Sequence, residues 1–238
     1  MSSSPRPAVV VRDATPSDLC FTARQHEALL PHGLFPLLGR RFLERWHATF
    51  LDSPFGIALI AELRCEGGAE PVGFLLGSTD QARLVADVIA RHRLPLLVSG
   101  SSALLRRPRL MLHFVRTRSG PYLRRLVGRP SGAGGPTRDG SSSHGPSSAP
   151  QPTGRIAVLS AVAVDPRGRS QGAGQSLVER FALRASLSGA EDLRLTTVAG
   201  ADGAGRFYEK LGWRFVEQHP TRDGLLVSTY RCPPEGHA

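Results

Sequence analysis

The most constraining feature of this sequence is an apolar run, Ile156–Val164, that leads through Pro166 into a glycine-rich loop. A run of this kind is typical of a strand that is buried on both faces near the centre of a sheet. After the loop, Ser176–Ala185 places its apolar residues on one face of a predicted helix. The stretch therefore predicts a central strand, a tight loop and a helix, in that order.

Strand and helix signals on both sides of this unit describe one α/β domain over residues 1–238, with a mixed central sheet of about six to seven strands flanked by helices. The first helix can be capped by Thr15 or Ser17. Apolar residues three or four positions apart predict a helix over Leu34–Phe50, which Asp52 and the following Ser-Pro end. The other predicted strands are Ala8–Val11, Gly56–Ala61, Pro71–Gly77, Leu193–Val198, Phe215–Glu217 and Leu225–Tyr230.

A long insertion separates the third and fourth predicted strands. Between Asp80 and Gly154 there are twelve arginines and three aspartates, a balance of +9 out of the formal net charge of +10. We expect residues 80–128 to form a helical basic segment, and residues 129–154, rich in Ser, Gly and Pro, to be disordered. The insertion could cover a substrate site or attract an acidic substrate, or it could be a solvated addition without a role.

The glycine-rich loop has the physical properties of a pyrophosphate site. Gly172 and Gly174 allow backbone N–H groups to approach an anion closely, and the start of the following helix adds its dipole. Arg167 and Arg169 add positive charge. A glycine pair after a strand can also be a tight turn without a ligand, and that alternative stays open on the loop alone.

Two common nucleotide loops do not fit. A P-loop needs Lys-Ser or Lys-Thr after its last glycine, where this chain has Gln175-Ser176, and the dinucleotide fingerprint needs a glycine at the position of Leu177. The pattern that fits is Arg/Gln-x-x-Gly-x-Gly/Ala, filled here by Arg169, Gly172 and Gly174. It resembles the coenzyme A loop of the GNAT (GCN-five-related) N-acetyltransferase family.

A second segment, about thirty residues further on, strengthens this resemblance. It is similar to the family's Asn-x-x-Ala-x-x-Phe-Tyr-x-x-x-Gly-Phe pattern, with Trp213 as the last aromatic and Ala201 where the family often has Asn. The opening Arg12–Asp18 also resembles the family's first strand and helix start, so the resemblance covers roughly residues 8–78 and 155–231. The positions of the second segment that agree are Ala204, Phe207, Tyr208 and Gly212.

The resemblance implies a fold and a donor site. It implies that Ala161–Val164 diverges from Leu193–Val198, leaving backbone groups free to hold the acetyl carbonyl and the pantetheine of acetyl-CoA. The N–H groups of the loop would hold the pyrophosphate, and no metal is implied. The implied cofactor-binding residues are Val162, Ala163, Val164, Arg167, Arg169, Ser170, Gln171, Gly172, Ala173, Gly174, Gln175, Ala201 and Tyr208.

Tyr208 is the implied catalytic residue, because its phenol is protonated at neutral pH and could protonate the departing thiolate. The alternative is that Tyr208 only belongs to an apolar helix face. The general base is not assigned, since the positions that carry a glutamate in some relatives are Thr196, Leu159 and Ser160 here. The nearest titrating candidates are Glu62 and His113.

The sequence thus predicts an N-acyltransferase that moves an acetyl group from acetyl-CoA to a primary amine by direct attack in a ternary complex. The expected acceptor is an amine-bearing small molecule or a protein amino group. A homodimer is one expected state of assembly. The alternatives are a basic membrane- or nucleic-acid-binding protein, with nucleic acid the less expected partner, or a coenzyme A-binding fold without catalysis. Three widely spaced cysteines, no signal peptide and no apolar stretch of spanning length favour a cytoplasmic protein.

Overall fold

The computed structural model describes residues 8–65, 68–92, 154–200, 203–221 and 224–234. Of the inserted basic segment, residues 81–92 are helical, in agreement with the helix predicted there. The rest of that segment, including His113, and nearly all of the predicted disordered loop lie outside the described residues. Ala201 does as well. The division of the chain into these segments therefore stays a prediction.

A seven-stranded mixed sheet forms the centre of the fold, which confirms the predicted class. The strand order is β1-β2-β3-β4-β5-β7-β6. All neighbouring strands are antiparallel except β4 and β5, which are parallel. The strands are β1 (Ala8–Asp13), β2 (Gly56–Cys65), β3 (Gly68–Ser78), β4 (Ile156–Val164), β5 (Asp192–Val198), β6 (Arg214–Pro220) and β7 (Leu226–Cys232).

Helices cover the two faces of this sheet. After a short 3-10 turn at Pro16–Asp18, the helices are α1 (Leu19–Leu29), α2 (Leu34–Leu37), α3 (Arg40–Asp52), α4 (81–92), α5 (Pro166–Arg169), α6 (Ala173–Leu187) and α7 (Gly205–Lys210). On one face, Phe21 of α1 and Phe50 of α3 pack with Phe74 of β3. On the other, Leu177 and Phe181 of α6 form the larger core.

The predicted single helix over Leu34–Phe50 is wrong in one respect, because the structure divides it into α2 and α3. Gly39 lies between the two helices with φ of 84°, a left-handed conformation that glycine adopts at no steric cost. The chain changes direction there and starts a new helix at Arg40. The predicted end is confirmed, since α3 stops at Asp52.

The central strand β4 is also less uniformly buried than the sequence predicted. Its pairing with β3 shifts between Leu76 and Gly77, so that Ser160 is an extra, exposed residue in β4. Such a bulge reverses the side to which the following side chains point. Leu159 accordingly belongs to the core beneath α6, whereas Ala161 belongs to the core beneath α1 and α3.

The close packing of α6 on the sheet predicts a large difference between two neighbouring residues of that helix. Phe181 is fully buried and its ring covers Gly77, where an added Cβ would lie 2.6 Å from the ring. We expect Phe181→Ala to lower the free energy of unfolding by about 3–5 kcal/mol. Leu183→Ala, a matched control at a 44% exposed position, should change it by less than about 1 kcal/mol. Urea denaturation measures both, and equal losses would contradict this packing.

Candidate functional site

The site begins where the two parallel strands separate. β4 and β5 pair only over their first four residues, and the last pair is Leu159 with Leu195. Beyond it, Thr196–Val198 of β5 continues to pair with β7, while the end of β4 continues to pair with β3. The edges of β4 and β5 that face each other therefore carry no mutual pairing after Leu159 and Leu195.

The direction of the backbone groups at this opening follows from the pairing with β3. The Asp165 N–H donates to the Val72 carbonyl at 2.7 Å, so the backbone of Asp165 faces β3. The backbone N–H and C=O groups of successive residues point to opposite edges of a strand. Those of Ala163 therefore also point towards β3, and those of Val162 and Val164 point towards the opening. The Nε–H of Arg169 donates to the Val164 carbonyl at 3.1 Å, as expected if that carbonyl is turned away from β3.

The glycine-rich loop follows directly and is held in shape by its own hydrogen bonds. The carboxylate of Asp165 accepts from the Arg167 N–H at 3.0 Å and caps α5. The N–H groups of Ser170 and Gln171 both donate to the carbonyl of Gly168. Two of the predicted pyrophosphate donors are therefore already used within the loop.

The start of α6 supplies the other predicted donors. Gly172, with φ of 83°, is the N-cap residue, and the first bond of the helix runs from the Ser176 N–H to the Gly172 carbonyl at 3.0 Å. The four N–H groups of residues 172–175 therefore precede the helix's own hydrogen bonds. An added Cβ at Gly174 would lie 3.3 Å from the ring of Phe207, so α7 packs beside this helix start.

The two loop arginines are placed differently. The side chain of Arg169 folds back on the end of β4, where it binds the Val164 carbonyl. Arg167 is bound by two carboxylates, with its Nε 3.0 Å from Asp165 and its Nη1 2.8 Å from Glu70 of β3. The Arg167 guanidinium lowers the pKa of Asp165 below its usual value, mainly through the side-chain hydrogen bond. The positive charge of Arg167 is thus partly neutralised at the surface.

Tyr208 lies in the core beneath α6 and is 4% exposed. Its ring centroid is 5.2 Å from that of Phe207, 6.1 Å from that of Trp213 and 6.2 Å from that of Tyr230. Burial raises the pKa of the Tyr208 phenol above its ordinary value, so the phenol is protonated at neutral pH. The Tyr208 side chain thus carries the proton that an acid needs. It is also packed among aromatic rings, as an ordinary core residue would be.

The carboxylate candidate for the base is already occupied. Glu62 accepts a hydrogen bond from Arg12 at 2.6 Å, and Arg12 also binds Asp18, so Glu62 belongs to an ion-pair cluster at the end of β1. His113 lies outside the described residues. On the opened strands, Thr196 and Ser160 are exposed and Leu159 is buried.

Sequence reasoning missed two buried histidines beside the opening. His26 of α1 is 6% exposed and His47 of α3 is fully buried. The His47 Nδ1 lies 2.8 Å from Thr22 Oγ1, and its Nε2 lies 3.2 Å from His26 Nδ1. The available signal was that His47 falls on the apolar face of α3, four residues after Leu43 and three before Phe50.

Burial controls the charge of both histidines. It lowers the pKa of His26 to about 4, and burial together with the nearby His26 lowers the pKa of His47 to about 3. Both imidazoles are therefore neutral at physiological pH. The rings lie against Trp46 and Phe74, with centroids 5.6 Å and 6.0 Å from that of His26.

Comparison with known proteins shows which kind of domain the site-bearing part of the chain resembles. Residues 150–233, which contain β4, the loop, α6 and α7, match the family model described as "Acetyltransferase (GNAT) domain". This part of the chain is therefore similar to the GNAT acetyltransferase domain. This match confirms the resemblance found in the two sequence segments. No curated protein sequence matches the chain.

Solved GNAT-fold structures agree with this fold. Ard1 from Thermoplasma volcanium is 16% identical, with 95% of this chain and 97% of that chain covered and a TM-score of 0.52. Arabidopsis thaliana NAA60 in complex with acetyl-CoA is 13% identical, with 95% and 98% covered and a TM-score of 0.53. Salmonella typhimurium yncA with its cofactor acetyl-CoA is 13% identical, with 97% and 96% covered and a TM-score of 0.52. At these identities the likeness concerns the GNAT fold alone.

Two features are absent from the described part of the chain. No helix there is both long enough and apolar enough to cross a membrane. No group of three or more His, Cys, Asp or Glu side chains within the same residues is arranged to hold a metal ion.

The buried histidines predict how stability depends on pH. In the unfolded chain both take up protons below about pH 6.5, whereas in the folded chain both stay neutral to about pH 4. The unfolded state therefore binds more protons in this range, and the free energy of unfolding falls as the pH falls, by up to about 1.4 kcal/mol per pH unit for each histidine. Urea denaturation at pH 7 and pH 5 tests this.

The control replaces an exposed histidine of β6. His219→Gln should leave the dependence unchanged, and His47→Gln should make it shallower, because only His26 then remains as a buried neutral histidine. Equal stability of the parent protein at pH 7 and pH 5 would contradict the burial of neutral imidazoles. The carboxylates with lowered pKa, such as Asp18 with a pKa of about 2, contribute only at lower pH.

Proposed function

We propose that this protein transfers the acetyl group of acetyl-CoA to a primary amine, by direct attack of the amine on the thioester while both are bound. The observation that carries the proposal is the opening between β4 and β5, with the start of α6 at its end. A backbone edge without strand partners can hold the amide groups of pantetheine as an added strand would. The helix start next to it suits a diphosphate.

The backbone geometry supports specific roles within that site. Val162 and Val164 face the opening, so their N–H groups are the donors available to the thioester carbonyl and to the pantetheine. A backbone N–H at the carbonyl oxygen stabilises the negative charge that develops there during attack. The N–H groups of residues 172–175 would hold the pyrophosphate, with Ser170 and Gln171 shaping the loop instead of donating.

Tyr208 is the proposed proton donor to the thiolate that leaves. It lies on the α6 side of the sheet with Phe207, whose ring touches the helix start at Gly174. Its buried phenol is protonated at neutral pH, so it carries a proton that it can give to the sulfur as the C–S bond breaks. Its alternative role as a core aromatic is separable by experiment.

Other sequence-based expectations stay predictions. These are the acceptor type, a small-molecule amine or a protein amino group, together with the homodimer and the cytoplasmic location. The basic membrane- or nucleic-acid-binding alternative depends on an insertion that lies mostly outside the described residues. The other alternative is a protein that binds coenzyme A without catalysis. It would bind acetyl-CoA as the proposed enzyme does, but it would not turn over any amine.

Acetyl-CoA binding should depend on the start of α6. Gly172→Glu places a negative charge in the loop and forces a side chain onto a residue with φ of 83°, so we expect binding to be lost. Isothermal titration calorimetry with acetyl-CoA measures it. Gly224→Glu is the matched control, because Gly224 has φ of 79° in the turn before β7 and receives the same charge. Failure of the unmodified protein to bind acetyl-CoA would exclude the proposed function.

Tyr208→Phe should separate binding from catalysis. The phenyl ring keeps the packing of this buried position but cannot donate a proton, so we expect unchanged affinity for acetyl-CoA and a kcat lowered by about 100-fold or more. Release of the free coenzyme A thiol in the presence of a panel of primary amines measures turnover. An unchanged kcat would restrict Tyr208 to the core.

A further inference from the structure

The two buried histidines form one directed hydrogen-bond chain with Thr22. The Thr22 hydroxyl lies 3.1 Å from the carbonyl of Leu19, which can only accept, and we assign its single hydrogen to that bond. In this assignment the Thr22 oxygen accepts the hydrogen of His47 Nδ1. A neutral His47 carrying that hydrogen has a bare Nε2, which can only accept, so His26 donates from Nδ1. The chain therefore fixes the tautomer of His26 and leaves its Nε2 with a lone pair.

This lone pair has no partner among the described residues. His26 is not one of the residues in that part of the chain whose enclosed polar atoms lack partners, which are Asp87, His92 and Trp213. Its Nε2 is therefore not sealed within the protein. A buried imidazole whose one nitrogen is satisfied by a second buried imidazole, and whose other nitrogen stays accessible, is organised to accept a proton or a hydrogen bond.

The position of His26 places its ring against β3, beside the end of β4. Its ring stacks on Phe74, and Phe74 is the strand partner of Ala163, which lies between Val162 and Val164. The neighbouring residue on α1, Gln25, lies near the side chain of Asp165 at the end of β4, since it adds to the lowering of the Asp165 pKa that Arg167 mainly causes. Two consecutive residues of α1 thus lie over the end of the strand that carries the proposed thioester donors.

His26 also lies on the face of the sheet that is opposite the proposed donor-binding groups. The helix start that would bind the diphosphate and the proposed acid Tyr208 both lie on the α6 side. An acetyl group held in the opening would then present its other side to the face covered by α1 and α3. An amine that attacks from this side would not displace the donor, and His26 lies on this side because its ring stacks on Phe74.

We propose that His26 is a catalytic residue, whose Nε2 accepts a hydrogen bond from the attacking amine and then takes its proton as the amide forms. This role rests on the acetyl transfer proposed above. His47 and Thr22 are positioning residues, because they act by fixing the tautomer of His26.

The proton and bond balance is complete. The nitrogen lone pair forms the C–N bond, the C–S bond breaks with its electrons on sulfur, and the proton from nitrogen goes to His26 Nε2. Tyr208 gives its proton to the thiolate. Solvent then restores both side chains, and the net reaction converts an amine and a thioester into an amide and a thiol.

The low basicity of His26 determines what it can deprotonate. It does not take a proton from a free ammonium ion, so the amine has to arrive neutral. It takes the proton after attack, when electron density has moved to the carbonyl and the nitrogen has become more acidic. Among the described residues, His47 is the titratable side chain in contact with His26, while Trp46 and Phe74 cover its ring.

Two substitutions separate this role from a structural one. His26→Asn places an amide near the position of Nδ1, so it keeps a donor to His47 but removes Nε2. His26→Gln places an amide near Nε2, which can accept a hydrogen bond but not a proton. We expect both variants to bind acetyl-CoA normally and to lose about 100-fold or more in kcat with the amine panel. His219→Asn, at an exposed histidine of β6, is the control with unchanged turnover.

The pH profile provides a readout that packing alone would not move. We expect kcat of His26→Asn to rise with pH more steeply than that of the unmodified protein, because hydroxide replaces the missing base. Should His26→Asn retain unmodified kcat, the role of His26 is structural and the inference fails while the proposed function stands. If His26→Asn does not fold, an unmodified kcat in His26→Gln overturns the inference in the same way. No turnover of any amine by the unmodified protein overturns both.

Discussion

The separation of β4 from β5 is the constraint on which the rest of the structure depends. A sheet normally satisfies every backbone group of an interior strand, and here the strand at its centre gives up half of one edge. The unpaired groups lie between two helical layers, one on each face. In the proposed function, a ligand that offers its own amide groups in an extended conformation would replace the missing strand. Its affinity would then come largely from the main chain, which would explain why few distinctive side chains mark the site.

The bulge at Ser160 is the local device that makes the opening useful. Before it, the buried side chains of β4 support α6, and after it, Ala161 and Ala163 support α1 and α3. The small side chains at these positions keep the α1 face close to the strand. The same shift directs Val162 and Val164 towards the core beneath α6. Because Ser160 is inserted, side chains on residues 161–164 pack against the helices on both faces of the sheet.

Much of the fold could be predicted because its signals are local. Strands were predicted from β-branched runs, and the loop from its glycines. The helix after it was predicted from the spacing of Phe207 and Tyr208. Each of these signals lies within a few residues of the element that it predicts. The break at Gly39 was missed because a continuous apolar period does not reveal a single residue of positive φ. The histidine pair could not be predicted from one sequence, since His26 and His47 lie on different helices and meet only through packing. The assignment of their tautomers rests on Thr22, a third residue whose contact with His47 is visible only in three dimensions.

Arg167 shows how the protein treats charge at the rim of its site. It is held by Asp165 and Glu70 at the surface, so a phosphate that reaches it exchanges one anionic partner for another instead of meeting a bare cation. Salt screens the old and the new pairing alike. For the proposed diphosphate ligand, the electrostatic part of the affinity would therefore be smaller, and less dependent on ionic strength, than the number of arginines near the loop suggests. Selectivity would then come more from the shape of the backbone than from the charge around it.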